Sequence, residues 1–340
     1  MHEFFALELS SLFKAGWFVV GSFILAIILT PIVSYLLYKH RFWKQIRESA
    51  VTGEKAPIVS KLHAKKRNTP TMAGVLIWVT VLVITLIFNL TRSQTYLPLV
   101  VLAGAGILGA FDDWTNIRGI GKIKGIRART KLIWLFIIGL VGALWFYYKL
   151  GFHTLHIPHY GDVEIGFWYI PLFIFVIVAA ANAVNITDGL DGLAAGLLTF
   201  VFGAYIMIFL FKEQLSLAYF NATVAGALLA FLWFNIYPAR FFMGDTGSLS
   251  LGATLGVIAM LSDTVVILPI IGFIFLVEIL SSFIQIFSKK LLGRKIFIAA
   301  PIHHHFEAKG WPEAKITMRF WVIGIVMAVI GLLIALIGRG

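Results

Sequence analysis

The sequence predicts an all-α integral membrane protein with about ten transmembrane helices and both termini on the periplasmic or extracellular side. Three observations support this prediction: the composition, the apolar stretches and the placement of the basic residues. Hydrophobic residues make up 60% of the 340 positions and charged residues 13%, whereas a soluble domain carries about 25% charged residues. Because so few charges cannot cover a surface exposed to water, the chain is expected to lie in a bilayer.

Ten apolar stretches are candidates for membrane spans, since a helix needs about 20 apolar residues to cross the hydrocarbon core and somewhat fewer inside a bundle. The eighth of them is short. No repeat or inserted soluble domain interrupts the series, so residues 1–340 are expected to form a single polytopic domain. The stretches lie near residues 16–38, 71–90, 97–111, 132–149, 167–184, 189–211, 219–235, 249–262, 265–288 and 317–338.

The basic residues set the orientation of these spans. About 23 of the 28 Lys and Arg fall on one side, which the positive-inside rule makes the cytoplasmic side. A basic face of this kind suits anionic lipids and a polyanionic substrate, while the apolar content excludes a nucleic-acid binder. The absence of cysteine excludes disulfides and thiolate sites. Loops near 39–70, 112–131, 185–191, 236–248 and 289–316 are expected to form a cytoplasmic active-site cleft.

Five aspartates fall on this cytoplasmic surface. Asp112 and Asp113 follow the third span, where the helix dipole disfavours anions, so they require nearby basic residues or a bound cation. Asp188 and Asp191 are expected to open the sixth span on one helix face, and Asp245 to precede the eighth. For Asp188 and Asp245, the alternative of a simple N-cap stays open.

The shared surface of these acids predicts a site for a hard cation. Mg²⁺ prefers oxygen ligands and is usually held by one or two carboxylates together with substrate phosphates. Glycine-rich turns at helix starts and the surplus of Lys and Arg suit a diphosphate as well. The sequence therefore predicts Mg²⁺-dependent chemistry on a diphosphate.

Three successive histidines, His303, His304 and His305, form the remaining polar cluster, in the last cytoplasmic loop. Neighbouring histidines on a helix point about 100° apart and cannot all bind one ion, whereas in an extended loop two of them could. Contact with phosphate or substrate is favoured over zinc. The intramembrane Glu278 and Gln285 are costly in lipid and are predicted to be structural, as an interhelical hydrogen-bonded pair.

Taken together, the motifs resemble the polyprenyl-phosphate N-acetylhexosamine-1-phosphate transferases. The aspartate blocks are typical of the superfamily at large. The three-histidine block and the Thr-Pro-Thr-Met turn narrow the resemblance to its peptidoglycan branch, the phospho-N-acetylmuramoyl-pentapeptide transferases. The matching blocks follow one another in the expected order over nearly the whole chain: 68–74, 111–113 with 128–131, 185–192, 235–247 and 301–307.

The resemblance implies a ten-span fold, often homodimeric, in the bacterial cytoplasmic (inner) membrane, with Mg²⁺ as cofactor and the active site facing the cytoplasm among membrane lipids. It implies UDP-N-acetylmuramoyl-pentapeptide as donor and undecaprenyl phosphate as acceptor, giving lipid I and UMP in the first membrane step of peptidoglycan synthesis. Two alternatives stay open. One is a related transferase that uses UDP-N-acetylglucosamine; the other is a polytopic transporter or flippase, although transporters usually place ionisable groups near the bilayer midplane.

Roles for individual residues also follow from the resemblance. Asp245 is the principal Mg²⁺ ligand with Asp188 beside it, Asp112 deprotonates or orients the lipid phosphate with support from Asp113, and Lys131 holds a phosphate. An aspartate acting as covalent nucleophile is the alternative route. His303 joins the catalytic group, and Phe242 stacks on uracil. The implied substrate contacts are Lys65, Thr69, Lys131, Asn185, Asp191, Asn235, Phe242, His304 and His305.

Overall fold

The computed structural model describes residues 2–43, 66, 68–91, 94–119 and 125–338, and this part of the chain is mostly helical. Twelve α-helices form within it. They are α1 (His2–Lys39), α2 (Gly74–Phe88), α3 (Tyr96–Ile117), α4 (Ala128–Leu144), α5 (Tyr169–Thr187), α6 (Leu193–Phe211), α7 (Leu215–Asn235), α8 (Gly244–Leu261), α9 (Leu268–Ile271), α10 (Phe273–Leu292), α11 (Ile302–Ala308) and α12 (Glu313–Ile337).

A small hairpin connects α4 to α5. A π-helical turn (Trp145–Lys149) extends α4, and strands β1 (Thr154–Ile157) and β2 (Gly161–Glu164) then pair antiparallel. Thr154 lies opposite Glu164 and Ile157 opposite Gly161. A 3₁₀ turn (Gly166–Trp168) leads into α5.

Each of the ten predicted spans contains helix, which confirms the all-α prediction. Among the described residues, seven helices are long and apolar enough to cross a membrane, and α2 is a shorter apolar helix. The count of ten spans and the orientation therefore stay predictions. The ninth predicted span is divided at Gly272 into α9 and α10. Several helices extend into the predicted loops, most clearly α3, which continues past residue 111 to Ile117.

The core of the protein is built around α8, in which every residue is buried. This helix packs against α3, α5 and α2, and its small residues allow close approach of neighbouring backbones. Gly252 lies against the backbone of Ala180 and Ala181 on α5. The N-terminus of α8 is thereby held among the ends of its neighbours, and this is where the predicted site residues meet.

Gly109 on α3 marks the tightest of these approaches, because a Cβ there would collide with the backbone of Asp245. Gly109→Ala is expected to force the two helices apart and to destabilise the protein by about 1–3 kcal/mol. Gly104→Ala on the same helix is the matched control, since its Cβ would meet only the end of Ile138 at 3.8 Å. Thermal unfolding in detergent should therefore show a lower midpoint for Gly109→Ala than for the wild-type protein, and no decrease for Gly104→Ala. Equal midpoints for the two variants would contradict this packing.

Candidate active site

A buried lysine joins two of the predicted acids. Lys131, in the first turn of α4, donates from Nζ to Asp112 Oδ2 at 2.7 Å and to Asp245 Oδ2 at 2.5 Å. Asp112 and Asp245 are 2% and 8% exposed. In such a setting an ionised carboxylate needs a charged or hydrogen-bonding partner. The structure thus brings together an acid from α3, an acid from α8 and the lysine expected to hold a phosphate.

Each of these two acids has a second partner. The backbone N–H of Ile126 donates to Asp112 Oδ1 at 2.6 Å. The side-chain amide of Asn185 donates to Asp245 Oδ1 at 3.0 Å and to Ser248 Oγ at 2.8 Å. Asn185 was predicted to contact substrate, and the structure places it beside the carboxylate of Asp245.

Asp113 is directed to the start of α8. Its Oδ2 accepts hydrogen bonds from the backbone N–H of Thr246 at 2.9 Å and from the Thr246 hydroxyl at 2.7 Å. The first N–H groups of a helix have no partner within the helix, so Asp113 acts as a cap supplied by α3. Gly244, with φ +72°, allows this approach, since a Cβ there would meet both Asp113 and Thr71. Asp113 therefore orients the helix turn that carries Asp245.

The prediction that Asp188 and Asp191 open a helix on one face is wrong. Asp188 follows the last residue of α5, where its N–H donates to Val184 O at 3.1 Å, and α6 begins only at Leu193. The intervening Asp-Gly-Leu-Asp-Gly segment is a turn, because Gly192 adopts φ +74°, which side chains other than glycine rarely tolerate. Asp188 therefore meets the negative end of a helix dipole, and a capping role at a helix start is excluded for it.

Asp191 belongs to a second charged cluster. Lys66 Nζ donates to Asp191 Oδ1 at 2.6 Å and to Glu313 Oε1 at 2.5 Å. The other Asp191 oxygen accepts from the Ala239 N–H at 2.9 Å. Burial by itself lowers the pKa of Lys66. The Glu313 and Asp191 carboxylates raise it by more than burial lowers it, so the pKa lies above its ordinary value. The Lys66 side chain is therefore positively charged at neutral pH.

The first turns of α12 hold the backbone of this same turn. Glu313 Oε1 accepts from the Asp191 N–H at 2.6 Å. Thr317 Oγ1 donates to Asp191 O, and Trp321 Nε1 to Gly192 O, both at 3.2 Å. Residues spaced by four lie on one helix face, so a single stripe of α12 fixes the turn between α5 and α6.

The remaining predicted nucleotide contacts surround the second cluster. Asn235 is buried, accepts from the Gly192 N–H at 3.0 Å and donates to Phe241 O at 2.9 Å. Phe242 is half-buried, and Lys66 Nζ lies 5.5 Å from its ring centroid. Thr69 is half-buried, with its N–H donating to Lys66 O at 3.1 Å. The predicted contact Lys65 lies outside the described residues.

The three histidines lie on helix α11, one of the two arrangements that the sequence left open. The rings of His303 and His304 lie 4.1 Å apart between centroids, but each of the three side chains has its own hydrogen-bond partner. His304 Nδ1 lies 2.6 Å from Glu307 Oε2, and His305 Nδ1 accepts from the Ile298 N–H at 3.1 Å. Burial and the nearby Lys309 hold the pKa of His305 below its ordinary value. This arrangement argues against one ion bound by all three.

His303 is directed into the protein. It is fully buried, and its Nδ1 lies 2.9 Å from Glu278 Oε2. Glu278 does not pair with Gln285: the Gln285 side chain binds the backbone of Ile296 and Phe297 instead. Both side chains are thus hydrogen-bonded to neighbouring segments: Glu278 to another helix, in line with the predicted interhelical bonding, and Gln285 to the segment that follows α10.

Sequence reasoning missed Lys66, Glu313 and Glu278 as members of the site. Lys66 is one of nine basic residues in its predicted loop, and nothing local distinguishes it. Glu313 looks like an ordinary acid in the first turn of a helix, since its partner Asp191 is 122 residues away. Only the spacing Glu313-Thr317-Trp321 at the start of the last span offered a signal, as a polar face on an otherwise apolar helix.

The donor set around Lys131 fits a hard cation. Two carboxylates already converge on one ammonium group, and carboxylate oxygens are ligands that Mg²⁺ prefers. Within the described ranges, no three His, Asp or Glu side chains are arranged to hold a metal by themselves. A cation here would accordingly need oxygens from a substrate, as Mg²⁺ at phosphate sites usually does.

Comparison with known proteins places this cluster in a known sequence context. The family model described as glycosyl transferase family 4 matches residues 95–263, a segment that contains Asp112, Lys131, Asp188 and Asp245. The chain is 43% identical to a phospho-N-acetylmuramoyl-pentapeptide-transferase of Chloroflexus aggregans, over 93% of this chain and 88% of that protein. It is 39% identical to one of Geobacillus sp. (93% and 96% covered) and 38% to one of Geobacillus thermodenitrificans (92% and 95%).

Proposed function

Because the chain belongs to the phospho-N-acetylmuramoyl-pentapeptide-transferase family, we propose that it moves phospho-N-acetylmuramoyl-pentapeptide from its UDP carrier onto undecaprenyl phosphate. The products are lipid I and UMP, in the first membrane step of peptidoglycan synthesis. The protein is a multi-pass bacterial membrane protein. The proposal places it in the cytoplasmic membrane with its site facing the cytoplasm, where the nucleotide donor is available.

One observation carries the proposal more than any other: Asp112, Lys131 and Asp245 meet in one buried cluster at the ends of three helices. Phosphoryl transfer asks a protein mainly to position the reactants and to stabilise charge. The ammonium of Lys131 can exchange a carboxylate for a phosphate oxygen, and the acids can then bind a cation or a proton. A transporter does not need this arrangement at the helix ends.

Mg²⁺ is proposed as the cofactor, held by Asp245 and Asp188 together with donor phosphates. Asn185, which binds Asp245, lies in the last turn of α5, and Asp188 directly follows the end of this helix. When bound, the ion would neutralise charge on the diphosphate and on the departing UMP. Asp112 would orient the lipid phosphate, or take its proton, from the far side of Lys131.

The nucleoside is proposed to bind at the second cluster. Phe242 offers a half-buried ring, and Asp191 and Asn235 offer polar groups beside it. Lys66 already lies over this ring and bridges Asp191 to Glu313. Binding of uracil against Phe242 therefore requires the Lys66 side chain to move aside or to turn its ammonium toward the nucleotide.

The test is detergent-purified protein with Mg²⁺, UDP-N-acetylmuramoyl-pentapeptide and undecaprenyl phosphate, followed by UMP release. Release that requires both substrates and stops with excess chelator is the expected result. Full activity with chelator would contradict the Mg²⁺ assignment. A trapped protein adduct with stoichiometric UMP when the lipid is omitted would favour a covalent aspartyl intermediate over direct attack.

Two rival functions predict different outcomes in the same assay. A related transferase would release UMP faster with UDP-N-acetylglucosamine than with the muramoyl donor. A flippase would release no UMP with either donor. Gel filtration coupled to light scattering in detergent separately tests the predicted homodimer.

A further inference from the structure

A second buried ion pair lies outside the chemistry just described. His303 and Glu278 are both fully buried, and their contact joins α11 to the second turn of α10. A carboxylate only accepts hydrogen bonds, so Nδ1 of the imidazole must be the donor. Glu278 thereby fixes the tautomer of His303 and the plane of its ring.

The opposite edge of this ring lies against the turn that follows α5. A Cβ built on Gly189 would collide with His303 Nε2 and its neighbouring ring carbons. Gly189 directly follows Asp188, the proposed metal ligand. The imidazole is therefore in van der Waals contact with the backbone that sets the direction of the Asp188 carboxylate.

This arrangement is costly for a purely structural contact. Within the described residues, His303 Nε2 and Glu278 Oε1 have no hydrogen-bond partner, and unmet buried polar atoms destabilise a fold. Packed apolar residues of similar volume are often at least as stable as a buried ion pair. The pair must therefore be explained by what it does for the turn at Gly189.

The surroundings of His303 favour the charged imidazole. Burial by itself lowers the pKa of His303, but Glu278 on α10, Glu307 on its own helix and Glu313 on α12 raise it above its ordinary value. The His304 ring lies 4.1 Å away between centroids. A charged ring strengthens the bond to Glu278, and its full burial prevents direct contact with substrate in this conformation.

We propose that Glu278 is a positioning residue, which orients His303 so that the imidazole sets the Asp188–Gly189 turn. The inference rests on the proposed function for the role of Asp188. It reassigns His303 as well, from a group that contacts substrate to one that acts through the backbone of a neighbouring turn. His304 and His305, which are half-buried on the same helix, are the histidines left for substrate contact.

A double-mutant cycle tests the proposal through Glu278→Ala, His303→Ala and the combined variant. Each single change is expected to lower kcat by about 10–100-fold, as loss of a group supporting a metal ligand does, with a smaller change in KM for the nucleotide. The combined variant should be no slower than His303→Ala. Glu278→Gln keeps an acceptor for Nδ1 and should recover at least part of the activity lost in Glu278→Ala.

A size exchange tests the same contact from the other side. Gly189→Ala should lower kcat in the wild-type background, but should have little further effect in His303→Ala, where the methyl group has space. The exposed pair His153 and Glu164 on the hairpin, with Nε2 and Oε2 3.7 Å apart, is the matched control, and alanine at either position should leave kcat unchanged.

Three results would overturn the inference: wild-type kcat in Glu278→Ala, losses from Glu278 and His303 that multiply in the combined variant, or a Gly189→Ala loss that persists without His303. Thermal unfolding midpoints of the same variants give a second double-mutant cycle, which measures stability and does not depend on enzymatic activity. If wild-type protein released no UMP, the proposed function would fail, while coupling among the midpoints would still decide whether the three residues act together.

Discussion

Asp245→Asn is expected to lower turnover by about 10²–10³-fold, the loss typical of removing one preorganised electrostatic group. Both carboxylate oxygens of Asp245 accept hydrogen bonds, one from Lys131 and one from Asn185. An asparagine has one acceptor oxygen, so one of these donors must face an NH₂ group. The proposed Mg²⁺ ligand is lost in the same step. UMP release should fall, and its dependence on Mg²⁺ concentration should weaken.

The matched control is Asp263→Asn at the opposite end of α8. Asp263 has φ +51°, a conformation that asparagine tolerates about as well as aspartate. Its side chain is about one third exposed, and turnover should stay at the wild-type level. Near-normal turnover in Asp245→Asn would mean that the proposed metal site is misplaced.

Lys131→Met is expected to have a similarly large effect on both stability and activity. It would leave the Asp112 and Asp245 carboxylates facing each other in a buried setting without their shared cation. Removing one partner from a buried ion pair costs about 3–5 kcal/mol. The unfolding midpoint in Mg²⁺-free buffer should fall accordingly, and turnover should fall by at least about 100-fold.

The same variant reports on the cation site without any turnover. If oxygens around Lys131 can bind Mg²⁺, added Mg²⁺ should raise the midpoint of Lys131→Met more than that of the wild-type protein, because the ion replaces the missing charge. Lys212→Met is the control, since Lys212 binds the Ser262 carbonyl at the far end of α8. If added Mg²⁺ did not change the unfolding midpoint of Lys131→Met, this result would argue against a cation site near Lys131.

The helical fold could be predicted from the sequence because it depends on local patterns, and most members of the candidate site were proposed from the resemblance of the motifs. Apolar stretches of sufficient length identify the helices. Asp112 was identified as a candidate because a negative charge near the C-terminal end of a helix is disfavoured by the helix dipole. Asp188 was placed at the wrong end of a helix. The sequence Asp-Gly-Leu-Asp-Gly fits a helix start and a turn about equally well, and only the φ of Gly192 decides between them.

The partners of the site residues could not be predicted, because they depend on which helices pack together. Asp113 accepts hydrogen bonds from Thr246, which is 133 residues away and which no local pattern indicates as a partner. His303, His304 and His305 were grouped because they are adjacent, but on α11 each of them has a different hydrogen-bond partner. The same holds for Glu278, because its partner His303 lies 25 residues later in the sequence and no local pattern connects the two.

The stripe of Glu313, Thr317 and Trp321 on the last helix has a consequence for the synthesis of the protein. The turn that carries Asp191 is made early, but the side chains that hold it are translated more than 120 residues later. A nascent chain that has emerged only as far as α10 contains Asp112, Asp191 and Asp245 but none of these restraints. The proposed nucleotide site is therefore completed only by the final helix, and we expect a partly made chain not to consume the precursor.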